Sequence, residues 1–208
     1  MKINLDSPVI SFLNKVADFM ILNILFILCC APIVTIGPAL SALYTITMRE
    51  ARHEDSYILK PFFKAFKNNF IQSFFSSILY LLLGAVIVYG WQFWLKRSGE
   101  STVNQVMLVI LGMFAIVCLL SLFYVFALIA RFDNSVFKTV KNALILTVFN
   151  LKETILLTLF SGIVMLLMIF TKSIWLFMVV GGFACCAYVQ SLLFIRVFEP
   201  YEKVEGGN

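Results

Sequence analysis

Five stretches of this chain carry no charged residue: Phe19 to Met48, Asn68 to Leu95, Ser101 to Ala130, Thr154 to Thr171 and Ser173 to Ile195. Each is 18 residues or longer, and roughly 20 apolar residues cross a bilayer as a helix. In hydrocarbon every backbone N–H and C=O must be satisfied within the protein, so helices and closed barrels are the spanning structures. Barrel strands alternate polar and apolar residues in segments of about ten, and these runs do not alternate. The expected fold class is all-α, a polytopic transmembrane helical bundle. Of 208 residues 13% are charged, against about 25% in soluble domains. That is too little polar surface to cover a soluble globule.

The number of spans turns on one segment. Ser11 to Ala31 is long enough for a single crossing. Beyond it Pro32, Gly37 and Pro38 fall within seven residues and disfavour one continuous helix. Pro38, with no N–H to lose, reads as the first residue of a new helix reaching about Arg52. Residues 19–48 then form either one interrupted span or a tight hairpin, with Pro32, Thr35, Gly37 and Pro38 as its structural motif. Lysine and arginine counts separate the two. The hairpin places 13 of these bases on one side and 3 on the other, the single span 11 and 5, and positive-inside bias favours the hairpin. The expectation is about six spans with both termini cytoplasmic.

A second pattern recurs along the chain. Laying Phe63 on Phe137 matches Phe, Lys, Lys, Asn, Ile and Phe at 63/137, 64/138, 67/141, 68/142, 71/145 and 75/149, an offset of 74 residues. In each copy lysines three apart share a helix face (Lys64 and Lys67, Lys138 and Lys141), and apolar residues share another. Both segments read as basic interfacial helices, Tyr57 to Asn69 and Phe137 to Phe149, leading into the bilayer. The chain is read as one membrane domain, 1–208, with a candidate duplication relating 38–95 to 101–171.

Little in the sequence points to chemistry. The net charge of +5 comes from short clusters beside apolar runs, whereas nucleic acids need a broad cationic face, so no nucleic-acid partner is expected. Cys29, Cys30, Cys118, Cys185 and Cys186 lie inside apolar runs and read as buried thiols without a disulfide framework. Glu50-x-x-His53 has the helical spacing of a carboxylate metal site, but such sites need a second copy on a facing helix. It reads as a solvated turn. No nucleotide-binding or hydrolase motif is present. The expectation is no enzyme, no cofactor and no metal.

Asn14 and Asp18, one turn apart at the start of the first span, with Asn23 further in, form the candidate polar site, weighed against plain interfacial anchoring. Asn23, Gln72, Asn104 and Gln190 read as hydrogen-bond partners between helices. The last two spans, with Gly181, Gly182 and Ala184 to Ala187, read as a tight antiparallel pair, and small-residue faces leave association with further copies of the chain open. The 22 phenylalanines read as packing and lipid contact more than as an apolar pocket.

Asn23, the run Pro32-Ile-Val-Thr35-Ile-Gly37-Pro38 with Ala42-Leu43-Tyr44, and Phe66-Lys67-Asn68-Asn69-Phe70-Ile71-Gln72-Ser73 together resemble the YesL-like family of bacterial integral membrane proteins, whose biochemical function is unassigned. The resemblance implies a role beside ABC-type carbohydrate uptake systems and supplies no catalytic residues. It makes a non-enzymatic accessory or assembly subunit, in contact with membrane lipids and ABC-type sugar permease subunits, the leading expectation. An independent carrier or channel for a neutral solute is the alternative.

Overall fold

The computed structural model describes residues 8–54, 57–97 and 102–205. Residues 1–7, 55–56, 98–101 and 206–208 lie outside that description. The fold is an all-α bundle: α1 (Pro8–Cys30), a 3-10 turn (Ile33–Thr35), α2 (Ile36–Ala51), α3 (Leu59–Lys96), α4 (Thr102–Arg131), α5 (Val136–Phe149), α6 (Leu151–Phe170), α7 (Lys172–Phe177), a π turn (Met178–Gly182) and α8 (Phe183–Glu205). Five stretches are long and apolar enough to cross a membrane: Phe12–Cys30, Leu59–Lys96, Thr102–Arg131, Leu151–Phe170 and Lys172–Glu202.

The segment around Pro32 is a hairpin. Lys15 Nζ, near the start of α1, lies 3.0 Å from Glu50 Oε1, near the end of α2, which requires the two helices to run in opposite directions. Pro32 is extended, with ψ 125°, and Thr35 Oγ1 lies 2.6 Å from the carbonyl of Cys29 and 2.7 Å from that of Pro32. The turn thereby satisfies carbonyls left open where α1 ends. α2 starts at Ile36, two residues before the expected Pro38, because none of the first-turn N–H groups has an intrahelical partner and proline is tolerated throughout that turn.

α2 is the axis of the bundle. Ten of its 16 residues are buried, and it packs against α1, α3, α4 and α8. At about 24 Å it is shorter than the ~30 Å hydrocarbon core, and protein rather than lipid covers it. Its start meets the middle of α3: a Cβ on Gly37 would sit 2.5 Å from Ser77 Oγ and 3.2 Å from the Ser73 carbonyl. Only glycine lets the two backbones come this close.

The first basic segment is not a separate interfacial helix, contrary to expectation. It is the opening third of α3, which runs unbroken from Leu59 to Lys96, about 57 Å. Pro61 falls in the first turn, where it costs no hydrogen bond, and nothing between Lys67 and Phe70 breaks the ladder. The second basic segment is the separate helix α5, ended by Asn150 at φ −112°, ψ 54°. Thr154 closes that break with its hydroxyl, bonding the carbonyls of Asn150 (2.8 Å) and Thr147 (3.2 Å).

The last two spans are likewise not a tight pair. α8 is taken up by α2 and α1, and α6 touches it sparsely. Ala184 and Ala187 are buried, so the small-residue surface serves those other contacts.

Burial is confined to one half of the long helices. In α3 it falls on Phe62, Ala65, Ser73 and Ser76, and in α4 on residues from Cys118 to Ile129. Residues 77–96 and 102–117 hold no buried position. They form a hairpin reaching past α2, with Trp91 packed at 3.3 Å from the place a Gly112 Cβ would occupy.

Candidate functional site

Bases gather at the end of the bundle where α2 stops, and there the carboxylate of Glu202 joins three helices. Arg52 of α2 donates to its Oε1 at 2.6 Å, and Arg131 of α4 donates to Oε1 at 2.7 Å and Oε2 at 3.1 Å. Charge-assisted bonds of this kind are roughly twice as strong as neutral ones. Around this knot Lys60, Lys64 and Lys67 of α3 and Lys138 and Lys141 of α5 are exposed. The four lysines singled out from the sequence therefore share the basic end, on two different helices, with their charges outward.

His53 follows the last turn of α2 and caps it. It has φ 58°, its N–H bonds the Glu50 carbonyl and the Glu54 N–H bonds the Arg49 carbonyl, both at 3.0 Å. This is the Schellman arrangement, in which the residue after the cap is left-handed and usually glycine. Among the described residues no group of three or more His, Cys, Asp or Glu side chains is placed to hold a metal ion.

The expected polar site splits in two. Asn14 and Asp18 are exposed on α1, and Asp18 borders a narrow crevice with Lys15 and Glu50. Asn23 is fully buried and faces elsewhere. Its Nδ2 donates to the carbonyls of Met178 (2.9 Å) and Val179 (2.7 Å), and the Ala184 N–H donates to its Oδ1 at 3.1 Å. The wider π turn displaces backbone groups from the ordinary helical ladder, and one amide from α1 satisfies three of them. Asn23 thus holds α1 against the last span.

Hydroxyl and amide bridges link the other helices. Ser41 and Ser73 oxygens lie 3.1 Å apart between α2 and α3, and Thr47 and Ser191 2.7 Å apart between α2 and α8. Tyr80 meets Ser121 at 2.7 Å between α3 and α4, and Tyr124 meets Thr154 at 3.0 Å between α4 and α6. Gln72 donates to Thr139 Oγ1 at 2.9 Å and to the Asn134 carbonyl at 2.7 Å, tying α3 to α5 and the loop before it. Asn104 bonds the Arg97 carbonyl at 2.6 Å, closing the end of α3. Among the described residues the fully buried polar side chains are Asn23, Tyr124 and a set of serines and threonines.

Beside α2 the helices part around a chamber of about 440 Å³, open along one side and bordered by α1, α2, α4, α6 and α8. Its walls are mostly aromatic and aliphatic, including Phe26, Phe123, Phe126 and Phe183. Along one side runs a polar strip: Tyr44 OH donates to Gln190 Oε1 at 2.6 Å, and Gln190 Nε2 donates to Ser161 Oγ at 3.0 Å. Among the described residues no Asp, Glu, Lys, Arg or His lines it. Sequence reasoning placed Gln190 between helices but did not bring Tyr44 and Ser161 to it. The available signal was three hydrogen-bonding side chains in otherwise apolar runs, with nothing to show that they converge.

A family model described as "Protein of unknown function, DUF624" matches residues 19–91, which takes in Asn23, the hairpin turn, α2 and most of α3. The comparisons with curated proteins and with solved structures return no match.

Proposed function

We propose that this chain is a non-enzymatic membrane protein of the YesL-like kind, an accessory or assembly subunit for ABC-type carbohydrate uptake in a bacterial cytoplasmic membrane. In this reading its basic end and both termini face the cytoplasm, as positive-inside bias favours. The observation that supports it is the basic end itself. α2, α4 and α8 are tied by one carboxylate between two guanidiniums, and the exposed lysines of α3 and α5 stand around a fixed base. Such a plate suits anionic headgroups, where each base contributes roughly 1 kcal/mol, and a partner subunit docked at the same level. Deleting the chain should lower saccharide uptake, and a sugar permease subunit should co-purify with it in mild detergent. Unchanged uptake together with no co-purifying permease contradicts the proposal.

The chamber favours the second reading, an independent carrier for a neutral solute, since an uncharged cavity suits an uncharged guest. Purified protein in sealed vesicles would then admit a neutral solute that empty vesicles exclude. Equal permeability in both sets counts against it.

A further inference from the structure

The chamber's polar strip has a small, countable capacity for hydrogen bonds. Tyr44 gives its only proton to Gln190, and Gln190 gives one of its two N–H protons to Ser161. That leaves one N–H and one lone pair on Gln190, one proton and one lone pair on Ser161, and the lone pairs of the Tyr44 oxygen, all on one wall. A monosaccharide, with several hydroxyls to satisfy, would strand most of them against phenylalanine rings, and buried polar groups without partners are strongly disfavoured. A guest with one hydroxyl fits what remains.

The rest of the chamber defines the body of that guest. From Gln190 the α8 wall continues to Phe183, seven residues and about 10 Å further from the basic end, with Phe26 and Phe123 also lining the chamber. The volume of about 440 Å³ falls within the usual range for small-molecule pockets, about 300–1,000 Å³. Tyr44 lies eight residues, about 12 Å, along the chain from Arg52, inside the apolar part of the bundle, where a charged head is costly. α4 touches α6 and α8 only sparsely, so a guest reaches the strip sideways from the bilayer. We infer that the chamber is an intramembrane binding site for a neutral lipid-like alcohol, its hydroxyl on Gln190 and Ser161 and its chain along the phenylalanines. This site stands apart from the basic end and does not depend on the carbohydrate reading.

The test uses the full chain in lipid nanodiscs and a photoactivatable diazirine analogue of dodecanol, with cross-linked peptides mapped by mass spectrometry. Labelling should concentrate at residues 122–126 and 183–190, and unlabelled dodecanol should displace it about tenfold better than dodecane or dodecanoate. Gln190→Leu should abolish that preference while leaving the displacement by dodecane. If Gln190→Leu does not fold, Ser161→Ala should reduce the preference severalfold, and Ala187→Phe, which fills the chamber, should remove labelling there. Labelling spread over the lipid-facing residues of α3 and α4, equal displacement by all three competitors, or an undiminished preference in the folded variants would overturn the assignment.

Discussion

The half of the bundle at the basic end and the half beyond the start of α2 are built on different residues. Near the basic end the interior is made of Ser41, Thr47, Ser73, Thr139, Thr147 and Ser191 with small and aromatic neighbours, and oxygen bridges run from helix to helix. Beyond Gly37, α3 and α4 pair through glycines and present Leu81, Val86, Val109 and Ile116 outward, each more than half exposed. In a bilayer apolarity does not mark the inside, because lipid is as apolar as leucine. Small and hydroxyl-bearing side chains mark it, since they allow close approach and bond across the gap.

Substitutions in the two halves should therefore differ in a fixed order, read as unfolding free energy in mild detergent. Asn23→Leu strands the π-turn carbonyls and the Ala184 N–H, and should cost about 3 kcal/mol. A loss under half that would show that the amide is not what joins α1 to the last span. Gly37→Val drives a side chain into Ser77 and the Ser73 carbonyl and should cost about 2 kcal/mol through overpacking. Unchanged stability would mean that α2 stands further from α3. His53→Gly should gain about 1 kcal/mol, the penalty a side chain incurs in a left-handed conformation; a loss would contradict the cap.

The smallest effects sharpen the comparison most. A double-mutant cycle on Thr47→Val and Ser191→Ala should show a coupling of about 0.6 kcal/mol, the average for such bonds within membranes. Leu82→Ala and Val86→Ala, on the lipid-facing stretch, should each stay within about 0.5 kcal/mol. If the leucine and valine changes cost more than the hydroxyl pair is worth, the far half is not lipid-facing and another protein surface covers it.

The all-α bundle and the hairpin at Pro32 were legible because charge-free length and the placement of bases act directly on how a chain enters a bilayer. The continuity of α3 was not, for a reason the matched segments show. Of their six identical pairs, all are exposed in both copies except Asn142, which is half-buried. The recurrence thus reports a shared outward surface. Whether each segment breaks depends on a position outside those identities, where Asn150 ends α5 and Ser76 continues α3. Inward positions do correspond, Ala65 with Thr139 and Ser73 with Thr147, but in size and burial, which identity matching passes over. The chamber was illegible because Tyr44, Ser161 and Gln190 are far apart in the chain. Their meeting depends on α2 and α6 both reaching Gln190 of α8, which spacing along the chain does not show.

The contact between α2 and α3 decides the account most directly. In a chain whose five native cysteines are replaced by alanine, Ser41→Cys with Ser73→Cys sets two thiols where the serine oxygens stand 3.1 Å apart. Mild oxidation of that protein in membranes should link them nearly completely, while Ser41→Cys with Leu82→Cys should stay unlinked. No cross-link in the first pair, or equal cross-linking in both, would contradict an α2 held at the centre of the bundle by its small, hydroxyl-bearing face.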